Sequence, residues 1–263
     1  MFSRRYILPL FFTAVLLGAC RHHADVTGLD VGYVEMNKSA DQFDSATDKI
    51  LRPYKDSLDK LMNVVIGKTD TAMPKERDKP ETLLGNFVAD VCLKNINDNC
   101  SGMSDPAPTV SCVDLCLFNT GGLRSSLPKG NITRGNIFEL MPFDNQLVIV
   151  TLSGKKTWEL IKYVSMTGGQ PMAGIKLGVH PDRTPSKILI GGQPFDSTRT
   201  YSVLTSDYLA NGGDKMDFFK DPKKIENTGI LIRDAILNYC TEETKKGKTL
   251  TTKLDGRYYY DTK

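Results

Sequence analysis

The sequence predicts an α+β fold, a single domain with a mixed β-sheet flanked by helices, and three observations point to it. Val148-Ile149-Val150-Thr151-Leu152 is an unbroken, β-branched run of the kind carried by a strand buried on both faces. Between Glu81 and Ile96, Leu84, Phe87, Val88, Val91 and Cys92 recur as one apolar stripe of a helix. Gly191-Gly192, between the strand-like Lys187–Ile190 and Tyr201–Thr205, reads as a hairpin turn. Helices alternating with strands and hairpins give a mixed sheet.

Taken in order, the chain opens with Arg4 and Arg5 ahead of an apolar run, Tyr6 to Ala19, that ends Leu17-Gly18-Ala19-Cys20. Spanning a bilayer takes about 20 apolar residues, so this shorter run reads as a secretory signal peptide over residues 1–19. Cys20 directly after Leu-Gly-Ala resembles a bacterial lipobox, which implies cleavage before Cys20 and a lipid on it. An exported lipoprotein held in the cell envelope, at its periplasmic face or the cell surface, is the expectation. Polar residues 20–42, His22 and His23 among them, read as a tether, leaving 43–263 as the folded domain.

Thirty-four basic and 31 acidic residues leave a net charge of +3, which gives no field for a nucleic acid polymer. Five cysteines follow Cys20, namely Cys92, Cys100, Cys112, Cys116 and Cys240, and an odd count leaves at least one free. Cys112 and Cys116 lie too far apart along a strand to bridge readily, whereas a Cys92–Cys100 disulfide is possible. No CxxC occurs and no histidine lies near these cysteines, so they do not read as a zinc site.

Within the body, Ile50, Leu51, Tyr54, Leu58, Leu61 and Met62 recur at helical spacing. Pro53 suits a first turn, so the regular helix is expected to start near it. Asn63–Gly67 reads as a short strand, and residues 68–79 as a polar connection with Lys75, Arg77 and Lys79. Glu81 then stands at the positive end of the striped helix, and Gly85 inside it points to close packing. Residues 97–108 read as loop and Val110–Phe118 as a strand. Gly130–Thr133 and Ile137–Phe143 lead to the strand Val148–Leu152, so that Phe143 stands between strands. A helix over 155–166 buries Trp158, Ile161 and Val164. Strands follow at 175–179, 187–190 and 201–205, and a last helix covers 230–240.

Three stretches could carry chemistry. Phe118-Asn119-Thr120-Gly121-Gly122-Leu123-Arg124 leaves a buried strand through two glycines, whose freedom to take φ > 0 would bring bare N–H groups against a ligand. Asn119 offers an amide there and Arg124 a cationic fork suited to phosphate or carboxylate. Asn211-Gly212-Gly213-Asp214, after Tyr208, is a second glycine turn; Asp214 either stabilises the turn or accepts from sugar hydroxyls. Pro142-Phe143-Asp144-Asn145 is the third, its ring either a core plug or a stacking platform.

ETLLGNFVADV (81–91), FNTGGLRSSL (118–127), GNITRGNIFELMPFDNQLVIVTLSG (130–154) and SDYLANGGDKM (206–216) occur in this order, with LDGR (254–257) as a further echo. Together they resemble the C-terminal, substrate-binding domain of the 5'-nucleotidase and UDP-sugar hydrolase family, over about Ile50 to Arg257. The resemblance implies that Phe143 and Tyr208 clamp a base, that Asn119, Gly121, Arg124 and Asn145 contact the substrate, and that Asp214 holds the ribose. Gly168 matches a substrate-contacting glycine. Some members place an arginine just before the ETLLGN helix, where this chain has Pro80, with Arg77 and Lys79 further back.

In that family a separate N-terminal metallophosphatase domain holds two metal ions through histidines, aspartates and an asparagine. This chain has three histidines, two of them in the tether and the third His180. No metal cofactor and no catalytic residue is therefore expected in it, and divalent metals are expected on a partner. Three readings stand: the nucleotide-recognition half of a split 5'-nucleotidase, working with a separate metallophosphatase chain in nucleotide catabolism; a stand-alone envelope nucleoside or nucleotide binder; and a degenerate structural or interaction scaffold.

Overall fold

The computed structural model describes residues 45–100 and 110–261. The expected signal peptide, Cys20 and the tether lie outside the described residues. Leu51–Lys263 fall in one compact unit. No helix among the described residues is long and apolar enough to cross a membrane.

Helix α1 (Ser45–Met62) continues past Pro53, which is inside the helix and not in its first turn as expected. Leu51, Tyr54, Leu58 and Leu61 are all exposed, and none of the residues of α1 is buried. A helix on the surface can leave the carbonyl orphaned by a proline to solvent. Strand β1 (Val65–Thr69) pairs antiparallel with β3 (Gly130–Thr133). Between them stand α2 (Leu83–Cys100) and β2 (Leu115–Leu117). A β-carbon on Gly85 of α2 would meet Thr82 Oγ1 at 2.8 Å, the close packing that its place in the stripe implies.

After β3 come α3 (Arg134–Leu140), β4 (Gln146–Ser153), α4 (Gly154–Thr167), β5 (Met172–Ala173), β6 (Ile175–Val179), β7 (Pro185–Ile190) and β8 (Gln193–Pro194). The chain ends with β9 (Thr200–Ser206), α5 (Asp207–Ala210), β10 (Lys224–Leu231), α6 (Ile232–Lys245) and β11 (Tyr258–Tyr260). A five-stranded sheet has the order β10-β4-β9-β2-β5, and a four-stranded one the order β11-β6-β7-β8. Pairings β2–β9 and β11–β6 are parallel and the others antiparallel, so the expected mixed α+β fold is present.

The central sheet has a core on each face. Leu147 and Ile149 of β4 point into one core with α2 and α6; Val148, Val150 and Leu152 point into the other with α4. Burial on both faces is what the continuous run at 148–152 announces.

Several expectations are corrected. Of the run Val110–Phe118 only Leu115–Leu117 joins the sheet. The segment before it is pinned to the end of α2, where Asn97 Oδ1 accepts from the Val113 N–H at 2.9 Å. The disulfide joins Cys100 to Cys112 rather than to Cys92, because Cys100 sits at the end of α2 that faces this segment while Cys92 faces the core. Residues 134–140 before Phe143 are helical: Thr133 and Asn136 form a reciprocal capping box that overrides the β-like Ile-Phe pair. Strands β10 and β11, absent from the reading above, occupy sheet edges.

The LDGR echo has a structural role. Arg257 is buried; it donates to both carboxylate oxygens of Asp90 at 2.8 and 2.9 Å, to Asp255 and to the Met172 carbonyl. Glu81 accepts from the Asp255 N–H at 2.9 Å and from Asn86 Nδ2 at 2.7 Å, while Asn86 also donates to the Lys253 carbonyl. The ETLLGN motif thus ties the C-terminal segment to α2.

Replacing Arg257 by Met should lower stability by roughly 2–3 kcal/mol, read from the urea midpoint, because Asp90 and Asp255 are part-exposed and tolerate loss of the partner better than buried acids. The Arg257 guanidinium holds the Asp255 carboxyl below its ordinary range, so this contribution is present above about pH 4 and lost as pH falls further. In the Arg257→Met variant that acid-side slope should flatten.

Candidate functional site

Topology brings the three candidate stretches together. β2 and β9 are parallel neighbours, with Leu115 opposite Val203 and Cys116 opposite Leu204, so both glycine turns leave the same end of the sheet. β4 runs antiparallel to β9 with Leu147 opposite Ser206, which puts the start of β4, and Asn145 before it, at that same end. A buried Thr205 hydroxyl donates to the Leu117 carbonyl at 2.8 Å and locks the two strand ends.

The result is a cavity of about 370 Å³ lined by Asn119, Gly121, Gly122, Arg124, Phe143, Asn145, Tyr208 and Asp214. Seven of the eight expected site residues line it. Gly168 does not: it is the left-handed C-cap of α4, at φ 79°, and a β-carbon there would approach only Arg183. Phe143 and Tyr208 are each 47% exposed, so neither ring is a core plug. Arg124 sits with its guanidinium carbon 5.9 Å from the Phe143 ring centre and donates from Nη1 to the Gly121 carbonyl at 3.3 Å, while its main-chain N–H donates to the Leu140 carbonyl at 2.9 Å.

The glycines act differently from the expectation. Gly121 and Gly122 form a 3-10 turn with Thr120 and neither has positive φ. Their value is the missing side chain, since a β-carbon on Gly122 would stand 2.8 Å from Asn119 Oδ1 and one on Gly121 3.3 Å from Asn119 Nδ2. The turn is therefore cut to seat the Asn119 amide. Gly213 plays the same part for Tyr208, whose ring a β-carbon would meet at 2.5 Å. Positive φ appears instead at Gly212 (86°) and at the non-glycines Asp214 (51°) and Lys215 (61°). Left-handed backbone at two side-chain-bearing residues is a local strain that the surrounding contacts hold in place.

Asp214 is the hub of those contacts. Asn119 Nδ2 donates to its Oδ2 at 2.6 Å and the Tyr208 hydroxyl to its Oδ1 at 2.9 Å. The Tyr163 hydroxyl donates to its main-chain oxygen at 2.9 Å. Hydrogen bonding to this carboxylate raises the Tyr208 phenol above its ordinary value; burial, then the Asp214 charge, does the same for Tyr163.

Three further residues escaped the sequence reading as site components. Lys75 Nζ donates to the Arg124 carbonyl at 3.3 Å, and its N–H to Ser126 Oγ at 2.8 Å. Partial burial, then the charges of Arg77 and Arg124, hold its ammonium below the ordinary lysine range. A local excess of positive charge thus stands beside the cavity, and only its place in the basic stretch 68–79 hinted at it. Gln170 Oε1 accepts from the Thr120 N–H at 2.9 Å and so fixes the first turn. Tyr163, on α4, gave no signal. Among the described residues no group of three or more His, Cys, Asp or Glu side chains is placed to hold a metal ion.

A model of the 5'-nucleotidase C-terminal domain matches residues 65–221. The trifunctional nucleotide phosphoesterase protein YfkN of Bacillus subtilis is 29% identical over 226 residues, 79% of this chain and 14% of that protein. Protein UshA of Escherichia coli is 23% identical over 202 residues, 74% of this chain and 34% of its own length. The crystal structure of a 5'-nucleotidase precursor from Thermus thermophilus superposes with a TM-score of 0.67 at 25% identity, covering 82% of this chain and 43% of that one. The chain thus spans less than half the length of each of these relatives.

Changing Gly213 to Ala should swing the half-exposed Tyr208 ring off the turn and cost only about 1 kcal/mol, or a melting point lower by roughly 2–4 °C. A crystal structure of the variant is the check, and an unmoved ring would refute the assigned role of Gly213.

Proposed function

The chain belongs to the 5'-nucleotidase C-terminal domain family, and on that premise we propose that it is the nucleotide-recognition half of a split 5'-nucleotidase. The observation that carries this reading is the convergence of seven motif residues on one cavity with two half-exposed aromatic rings. Phe143 and Tyr208 offer flat faces for a base, each stack contributing about 1–3 kcal/mol. Asn145 and Asn119 supply amides, Asp214 faces the ribose, and Arg124 with Lys75 behind it offers positive charge to a phosphate.

The described residues do not fit a two-metal centre, so no hydrolytic step is assigned to them. We assign that step to a separate metallophosphatase chain, which would activate water against the phosphate ester while this chain positions the nucleotide. Support for a second chain comes from α1, whose Leu51, Tyr54, Leu58 and Leu61 form a solvent-facing apolar stripe, together with exposed Val64 and Val65. A lipid on Cys20 would hold the assembly in the cell envelope, and the Cys100–Cys112 disulfide suits an oxidising compartment.

Calorimetric titration with AMP, adenosine, UMP and uridine tests the binding role. Phe143→Ala should weaken the bound ligand by about 10- to 100-fold. Arg124→Ala should weaken the nucleotide more than its nucleoside. Absence of saturable binding by all four would overturn the reading, and phosphate release by the pure chain would overturn the division of labour.

A further inference from the structure

Tyr208 does two things at once. Its ring lies over the backbone of Gly213 and lines the cavity, while its hydroxyl donates to Asp214 Oδ1 at 2.9 Å. Asn119 Nδ2, from the other glycine turn, takes Asp214 Oδ2 at 2.6 Å. Each carboxylate oxygen accepts two hydrogen bonds, so this pair of donors leaves one acceptor direction free on each oxygen. Two adjacent oxygens with one free direction apiece match two hydroxyls on neighbouring carbons.

Asp214 is exposed, and no Lys or Arg among the described residues pairs with it. An exposed carboxylate without such ties rotates freely, and ordering it on binding costs affinity. Here the ordering is already done by two neutral donors, which fix the group without quenching its charge as a cation would. The two donors also differ in what else they do: Asn119 is held by the glycines beneath it, whereas Tyr208 couples the carboxylate to the base platform.

We propose that the Tyr208 hydroxyl is a positioning group that, through Asp214, sets the preference of this site for a sugar with a free vicinal diol. The ring of the same residue meets the base. The inference rests on the nucleoside-binding reading above, in which Asp214 faces the ribose, and adds the group that orients that carboxylate. It assigns the hydroxyl a role in specificity, beyond merely holding the turn.

The test is titration of the full chain with whichever of adenosine and uridine it binds more tightly, and with the 2',3'-dideoxy counterpart. The wild type should favour the riboside, and Tyr208→Phe, which keeps the ring, should narrow that preference by about tenfold. In an Asp214→Ala background the further change Tyr208→Phe should leave the ratio where Asp214→Ala put it, as expected of a group acting through Asp214. An unchanged ratio in Tyr208→Phe, or a stronger preference for the riboside because a competing donor is gone, would overturn the proposal while the binding reading stood. If neither nucleoside binds the wild type, both fall together.

Discussion

Parallel pairing of β2 with β9 is the constraint on which the rest of the structure depends. Antiparallel strands would send their exits to opposite ends of the sheet, and Asn119 and Asp214, 95 residues apart in sequence, could not meet. A parallel pair needs a long crossover, and the chain fills it with β3 to β8, including β4 on the far side of β9. That crossover returns the Phe143–Asn145 segment to the same end. Burial on both faces of the sheet then fixes the register, because a slip of one residue would exchange the two cores.

Where both faces of an element are buried, or one stripe is, the sequence was readable. The run at 148–152 and the stripe of α2 state their environment in their own composition. β10, Lys-Ile-Glu-Asn-Thr-Gly-Ile-Leu, has polar residues where an edge strand meets water and so looks like a connection. Residues 134–140 look like a strand by Ile and Phe, but a capping box decides for helix, and such a box is a matter of two side chains, Thr133 and Asn136. The strand before Asn119 came out short because a contact between Asn97 and the Val113 N–H, with the Cys100–Cys112 disulfide beside it, draws the segment up to Val113 toward the end of α2.

The site was readable as membership and not as geometry. Seven residues could be named from their motifs, but nothing in sequence states that Asn119 and Tyr208 share one carboxylate. Nor could the purpose of Gly121, Gly122 and Gly213 be read, since a glycine kept for its missing side chain looks the same as one kept for its backbone freedom. Gly168 shows the converse, a glycine at the expected place whose left-handed turn ends a helix and stands outside the lining of the cavity. Lys75 lies outside all four motifs and joins the site only through the fold of residues 68–79 onto the Arg124 turn.

The cysteines of the described residues divide into two populations. Cys92, Cys116 and Cys240 are buried, and loss of water pushes their thiols far up, Cys240 to about 12. Exchange requires a thiolate, so these three are chemically silent once the core has closed. Cys112, by contrast, is exposed and bonded to Cys100. Among the described residues, pairing is thus guarded by burial: in the folded molecule a reductant can open one clip, and no other described cysteine presents a thiolate to capture the freed sulfur.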